Sequence, residues 1–146
     1  MFDILQYPAC KLYEKKRFRL PNPVRNFLQN KKIRKLVLIA EQDNKILLLP
    51  LSVWEKNIGF YKKNTPVHFP VRAQSLSSTF LYLHPELSNY LGETENLYFE
   101  ESGDHYITWN EAGYQRENEK ETEKLQRLYN LFDRKLPVST DIRKDL

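Results

Sequence analysis

Five cations crowd into one short stretch: Lys11, Lys15, Lys16, Arg17 and Arg19. Such groups offer no general base at neutral pH, but they attract polyanions. Lysine approaches a phosphate as a point charge, and the arginine fork pairs bidentately with a phosphate or with the guanine edge in a DNA groove. Phe18 and Leu20 alternate with Arg17 and Arg19. In an extended strand with Phe18 and Leu20 turned inward, both guanidiniums project from the outer face. Arg17 is then placed to read a base edge, and Lys11, Lys15, Lys16 and Arg19 to neutralise phosphates. The purely structural role for the same charges is an edge strand protected from aggregation. Lys31, Lys32, Arg34 and Lys35 read as a solvated loop.

Other chemistries find little footing. His68, His84 and His105 are isolated, with no H-x-x-x-H pair, and Cys10 is the one cysteine, which excludes an intrachain disulfide and a cysteine metal cluster. Ser75, Ser77, Ser78 and Thr79 lack a G-x-S-x-G elbow, and four glycines leave no phosphate-cradling loop. Glu93, Glu95, Glu100 and Glu101 read as an exposed acidic rim. The expectation is a protein that is not an enzyme, without metal, cofactor or small-molecule substrate.

The charge is distributed unevenly. Residues 1–73 carry 15 Lys/Arg against 5 acids (+10), and residues 74–146 carry 8 against 14 (−6), within a net charge of +4. Nucleic acid is drawn to the first half, although opposite patches also steer subunits together. At 146 residues, the chain is sized for one compact domain or two very small ones. A mean hydropathy of −0.67 and apolar runs no longer than 36–40 and 46–51 argue against a membrane span. The opening residues lack the pattern of a signal peptide, so a soluble cytoplasmic protein is expected.

The elements that must position the cations repeat. Residues 10–20 read as a hairpin turning near Glu14 to Lys16. Pro21-Asn22-Pro23 stops the strand and starts a helix, with Asn22 as cap and Val24, Phe27 and Leu28 on its apolar side. A hairpin follows, with strands 35–40 and 46–49 joined at Asp43-Asn44-Lys45. A brief helix carrying Trp54 comes next, its capping box made by Ser52 and Glu55. The second half gives strand 80–83, a helix from Pro85 closed by Gly92, a hairpin over 96–109, and 110–114 in the place of the Trp54 helix. Pairing Pro21 with Pro85, Leu28 with Leu91, Leu36 with Leu97, Leu49 with Trp109 and Trp54 with Tyr114 indicates an internal duplication. One unit alone cannot bury both faces of its strands, so two copies pack about a pseudo-two-fold axis. Trp54, Trp109 and Tyr114 take core positions. The divisions are 1–58 for the first repeat, 59–75 for a linker with Pro66 and Pro70, 76–116 for the second repeat, and 117–146 for a C-terminal helix and tail. The helix, over 116–135, carries the stripe Leu125, Leu128, Tyr129, Leu131 and Phe132, which packs on the domain or on a neighbour. From Pro137 onward a disordered tail is expected.

Cys10-Lys11-Leu12, Lys15, Arg17, Leu20-Pro21, Leu28, residues 36–39 and Leu47 to Glu55 resemble the first repeat of the MraZ family of bacterial transcriptional regulators of the division and cell-wall gene cluster. Leu83, Pro85, Leu87, Tyr90-Leu91-Gly92, 97–99, 105–109 and Tyr114-Gln115 resemble its second repeat. The resemblance, over residues 1–116, implies a mainly β fold with short helices, in which tandem AbrB-like swapped-hairpin repeats form a double-split β-barrel. It implies a ring-like homo-oligomer gripping repeated sites on double-stranded DNA near division genes, associated with the nucleoid. The family's signature, Asp-x-x-x-Arg in each copy, is altered: Tyr13 stands at the first Asp and Lys16 at the usual glycine, while Arg17 remains. Leu76 and Phe80 replace the second pair. Two alternatives follow from that departure: an interaction protein that has lost DNA binding, or an AbrB-like antitoxin or RNA-binding module.

Overall fold

The computed structural model describes residues 5–64, 71–75 and 80–134. Strand β1 (Ala9–Tyr13) alternates exposed Ala9, Lys11 and Tyr13 with half-buried Cys10 and Leu12. A single 3-10 turn (Glu14–Lys16) reverses the chain into β2 (Arg17–Phe18), which pairs back with Leu12 opposite Phe18 and Tyr13 opposite Arg17. The hairpin thus turns where the sequence places it.

Helix α1 (Asn22–Asn30) buries Val24 and Leu28. Its cap is Pro21, and Asn22 is already helical, its side chain accepting from Arg25 rather than capping. Strands β3 (Lys35–Glu41) and β4 (Lys45–Pro50) form the expected hairpin, with Asp43 and Asn44 both at positive φ (67° and 56°), a conformation those two residue types tolerate. Helix α2 (Leu51–Lys56) begins directly after Pro50, so Ser52 sits inside it and the expected capping box does not form. Helix α3 (Ile58–Asn64) follows.

Strand β5 (Val71–Ser75) lies where the linker was expected and pairs along β3, from Lys35 opposite Ser75 to Ile39 opposite Val71. Only five residues long and with Val71 and Ala73 as its only apolar residues, it carries little signal of its own, and a long-range ladder makes it a strand. Pro66, Pro70, His68 and the polar run 76–79 lie outside the described residues. Strand β6 (Leu81–Tyr82) pairs with β2, and α4 (Pro85–Leu91) ends on Gly92 at φ 82°. The cap of α4 is His84, whose Nδ1 accepts from the Glu86 N–H at 3.3 Å. His84 thus holds the N-cap position of α4 as Pro21 holds that of α1. Strands β7 (Asn96–Glu101) and β8 (Tyr106–Trp109) form the second hairpin, turned at Gly103 with φ 75°. Helix α5 (Glu111–Arg134) starts five residues earlier than expected, capped by the Asn110 side chain on the Gly113 N–H at 2.7 Å.

All eight strands join one antiparallel sheet, in the order β5-β3-β4-β8-β7-β1-β2-β6. Strand β1 lies along β7, a strand from the other half of the chain, and β5 along β3. Strand β4 pairs with β8, and β2 with β6. The sheet is barrel-like and nearly closed. Its two end strands are joined by a side chain: the Gln74 amide on β5 accepts from the Tyr82 N–H at 3.0 Å and donates to the Tyr82 carbonyl on β6. Phe18, Leu36, Leu38, Leu48, Leu97 and Phe99 belong to one core shared by both copies, with Val24, Leu28, Leu87 and Leu91 of the two short helices. Val37, Ile39, Leu47 and Leu49 pack on the opposite face with half-buried Trp54. Trp109 and Tyr114 are buried, and Tyr114 stacks on Tyr98 at 4.1 Å.

Two compact units result. One is Tyr7–Tyr114, holding both copies; the other joins Leu5 and Gln6 to the helix from Gln115 onward. Within the latter, the Leu5 N–H donates to Asn118 Oδ1 at 2.9 Å, and Asn118 is buried. Leu125, Leu128, Tyr129, Leu131 and Phe132 are all exposed. The tail from 135 lies outside the described residues. No described helix is long and apolar enough to cross a membrane.

Candidate nucleic-acid interface

The sequence-predicted cations fall on one corner of the sheet. Lys11 is exposed on β1; Lys15 and Lys16 belong to the 3-10 turn; Arg17 lies exposed on β2 and Arg19 exposed just beyond it. Phe18 and Leu20 are buried (1% and 4% exposed), so alternation does set Arg17 and Arg19 outward. Lys16 adopts φ 57°, a left-handed conformation that glycine takes most readily. Its carbonyl accepts from the Leu83 N–H at 2.8 Å, which ties the turn to the second copy. None of Lys11, Lys16, Arg17 and Arg19 has a carboxylate partner among the described residues. These four charges are therefore not neutralised by any described carboxylate.

Their neighbours are aromatic. Strand pairing places Tyr13, Arg17 and Tyr82 side by side across β1, β2 and β6. Phe80, just ahead of β6, meets the Tyr13 ring edge-on at 5.9 Å, and the Arg17 guanidinium carbon lies 5.4 Å from the Phe80 centroid. The Lys11 ammonium is 6.0 Å from the Tyr13 ring. Both distances are within reach of a cation–π attraction. Tyr13, Phe80 and Tyr82 keep 48%, 38% and 45% of their surface in solvent. Tyr13, Arg17 and Phe80 are thus one cluster. Leu76 lies outside the described residues.

Sequence reasoning names the cations and passes over Tyr82 as a site residue. The available signal is parity, since Tyr13 shares its face with Lys11. Tyr82 arrives only through the β2–β6 pairing, which joins residues far apart in the chain.

The remaining candidates are placed elsewhere. Lys31, Lys32, Arg34 and Lys35 are exposed. Glu93, Glu95 and Glu101 are exposed, whereas Glu100 is half-buried and accepts from Trp109 Nε1 at 3.0 Å. His105 pairs with Asp104 at 2.8 Å. Among the described residues no group of three or more His, Cys, Asp and Glu is placed to hold a metal ion. Burial pushes the Cys10 thiol up to about 12, which keeps it protonated and poorly nucleophilic. No protein-family model and no curated protein matches the chain.

Proposed function

We propose that this chain is a sequence-specific DNA-binding transcriptional regulator of MraZ type, built from tandem AbrB-like swapped-hairpin repeats in a double-split barrel and acting as a ring-like homo-oligomer on repeated sites. The observation that carries the reading is the exposed set Lys11, Lys16, Arg17 and Arg19 along the β1–β2 hairpin and just past it, without a carboxylate partner among the described residues, with Phe18 and Leu20 buried between and beyond the two arginines. The exchange of first strands between copies supports the swapped-hairpin assignment. Arg17 reads a guanine edge, and the lysines and Arg19 hold phosphates. One such patch binds weakly; several in an oligomer, presented to repeated sites, gain avidity without further interactions at any one patch.

A second reading, an interaction protein that no longer binds DNA, is favoured by the aromatic Tyr13 and Phe80 at signature positions. Binding to DNA from the chain's own upstream region, beside shuffled DNA, separates the two. The regulator prefers its own region and loses that preference in the Lys15→Ala/Lys16→Ala/Arg17→Ala variant. A folded wild type with no preference over shuffled DNA contradicts it.

A further inference from the structure

We infer that helix α5 pairs, antiparallel, with the same helix of a second copy of this chain through the apolar face at Leu125, Leu128 and Phe132. Such pairing is independent of the nucleic-acid reading and holds whether or not the β1–β2 corner binds DNA. Tyr114, Asn118, Glu121, Leu125, Leu128 and Phe132 follow one another at steps of four and three, the spacing of a coiled-coil seam. The chain itself fills the beginning of that seam. Tyr114 is buried and stacked on Tyr98, and Asn118 is buried with its Oδ1 accepting from the Leu5 N–H. From Leu125 onward the seam is open: Leu125, Leu128 and Phe132, with Tyr129 and Leu131 on its flanks, keep 48–66% of their surface in solvent.

A second copy is the occupant that fits. These five side chains expose on the order of 500 Å², so laying the face on its own copy removes about 1,000 Å², the size at which a specific interface begins. A face that meets itself about a two-fold axis needs no other complementary surface. Its charge permits this: Arg127, the one charged residue within 125–132, stands across the helix from the seam and lies 3.9 Å from Glu123, one turn back. Charge also sets the direction. A parallel pair would bring the two Glu121 residues together on the seam and would run on to Asn118, which Leu5 already engages. An antiparallel pair overlaps in the apolar turns alone, leaves Glu121 beyond the overlap, and sets Leu128 of one copy against Phe132 of the other, since the two alternating kinds of seam position then face each other.

The test is sedimentation equilibrium of the full chain beside its Leu128→Glu/Phe132→Glu variant, in which both altered positions are exposed and the fold is checked by circular dichroism. The wild type is expected to associate, and the variant to dissociate at concentrations about a hundredfold or more above those at which the wild type does, because each copy brings unpaired carboxylates into an apolar interface. Disulfide trapping reads the direction without adding charge. Chains carrying Leu128→Cys and chains carrying Phe132→Cys, both with Cys10→Ser, are mixed and oxidised; a disulfide between the two kinds of chain is expected in excess over either like pair. A wild type that stays monomeric to its highest soluble concentration, an association that the glutamates leave unchanged, or an excess of like pairs overturns the proposal. DNA binding at the β1–β2 corner is measured separately, and none of these outcomes bears on it.

Discussion

The two halves of the chain meet at the β2–β6 seam and are held there differently. In the first, β1 and β2 are joined by a tight turn and a backbone ladder; in the second, the Gln74 side chain links β5 to the Tyr82 backbone. Arg17 and Phe80 each stand one residue before a buried strand residue, Phe18 or Leu81. One copy keeps the cation and the other supplies the ring it stacks on. The cation and the ring it stacks on thus meet where β2 pairs with β6, one contributed by each half of the chain.

The shared core is the place to break the equivalence hardest. Phe18→Ala removes a fully buried ring and costs about 3–5 kcal/mol, and Leu81→Ala on the partner strand costs about 2–5 kcal/mol. Both lower the urea midpoint of the same cooperative transition, monitored by circular dichroism. Separate transitions for the two copies would show that they do not share a core.

A second contrast concerns size. Leu49 and Val53 in the first copy correspond to Trp109 and Gly113 in the second, a large ring opposite no side chain. A Cβ on Gly113 would stand 2.8 Å from Trp109 Cε3, too close to be tolerated. Gly113→Val is expected to cost about 1–3 kcal/mol by overpacking. Trp109→Leu in the same chain restores part of the loss, read by thermal denaturation. Additive losses would contradict the compensation.

Smaller still is the Gln74 link. Gln74→Ala removes two hydrogen bonds in partly solvated surroundings, for a loss of about 1 kcal/mol. The Tyr82 amide then exchanges faster with solvent while amides of β3 and β4 keep their protection. Unchanged exchange at Tyr82 would mean that the link contributes nothing to closure.

Least in effect is Cys10, on the inner side of β1. Its thiol, raised to about 12, ionises more readily in the unfolded chain than in the folded one, so its contribution to stability is present below the ordinary thiol range and declines as pH rises through and above that range. Cys10→Ser lacks that decline. Alkylation of the folded wild type stays slow to about pH 9, and fast modification there would contradict the burial.

Elements with local signals are legible in the sequence. The Asp43-Asn44 turn, the Gly92 stop, the Gly103 turn and the alternation of Phe18 with its flanking arginines each depend on a residue's own backbone preference or on period-two burial. Strand β5 is not legible, because its identity depends on β3 lying beside it. The two missed caps have a common cause: α1 and α2 each start directly after a proline that supplies extended geometry, so that Asn22 is the first helical residue of α1 and Ser52 the second of α2. The cations of the candidate site are visible as a run, whereas their aromatic surroundings depend on β6 reaching β2 from the other copy.

The central claim is that the β1–β2 corner, rather than the basic character of the first half in general, holds nucleic acid. The most direct test compares two variants of equal net charge, Lys11→Ala/Arg17→Ala/Arg19→Ala and Lys31→Ala/Lys32→Ala/Arg34→Ala. Each is titrated against the same DNA over a range of salt. The account predicts that the first variant flattens the slope of log affinity against log salt by about 0.9 for each phosphate no longer neutralised, and that the second leaves the slope close to wild type. Equal flattening in both would show a diffuse charge effect and contradict the assignment of the site.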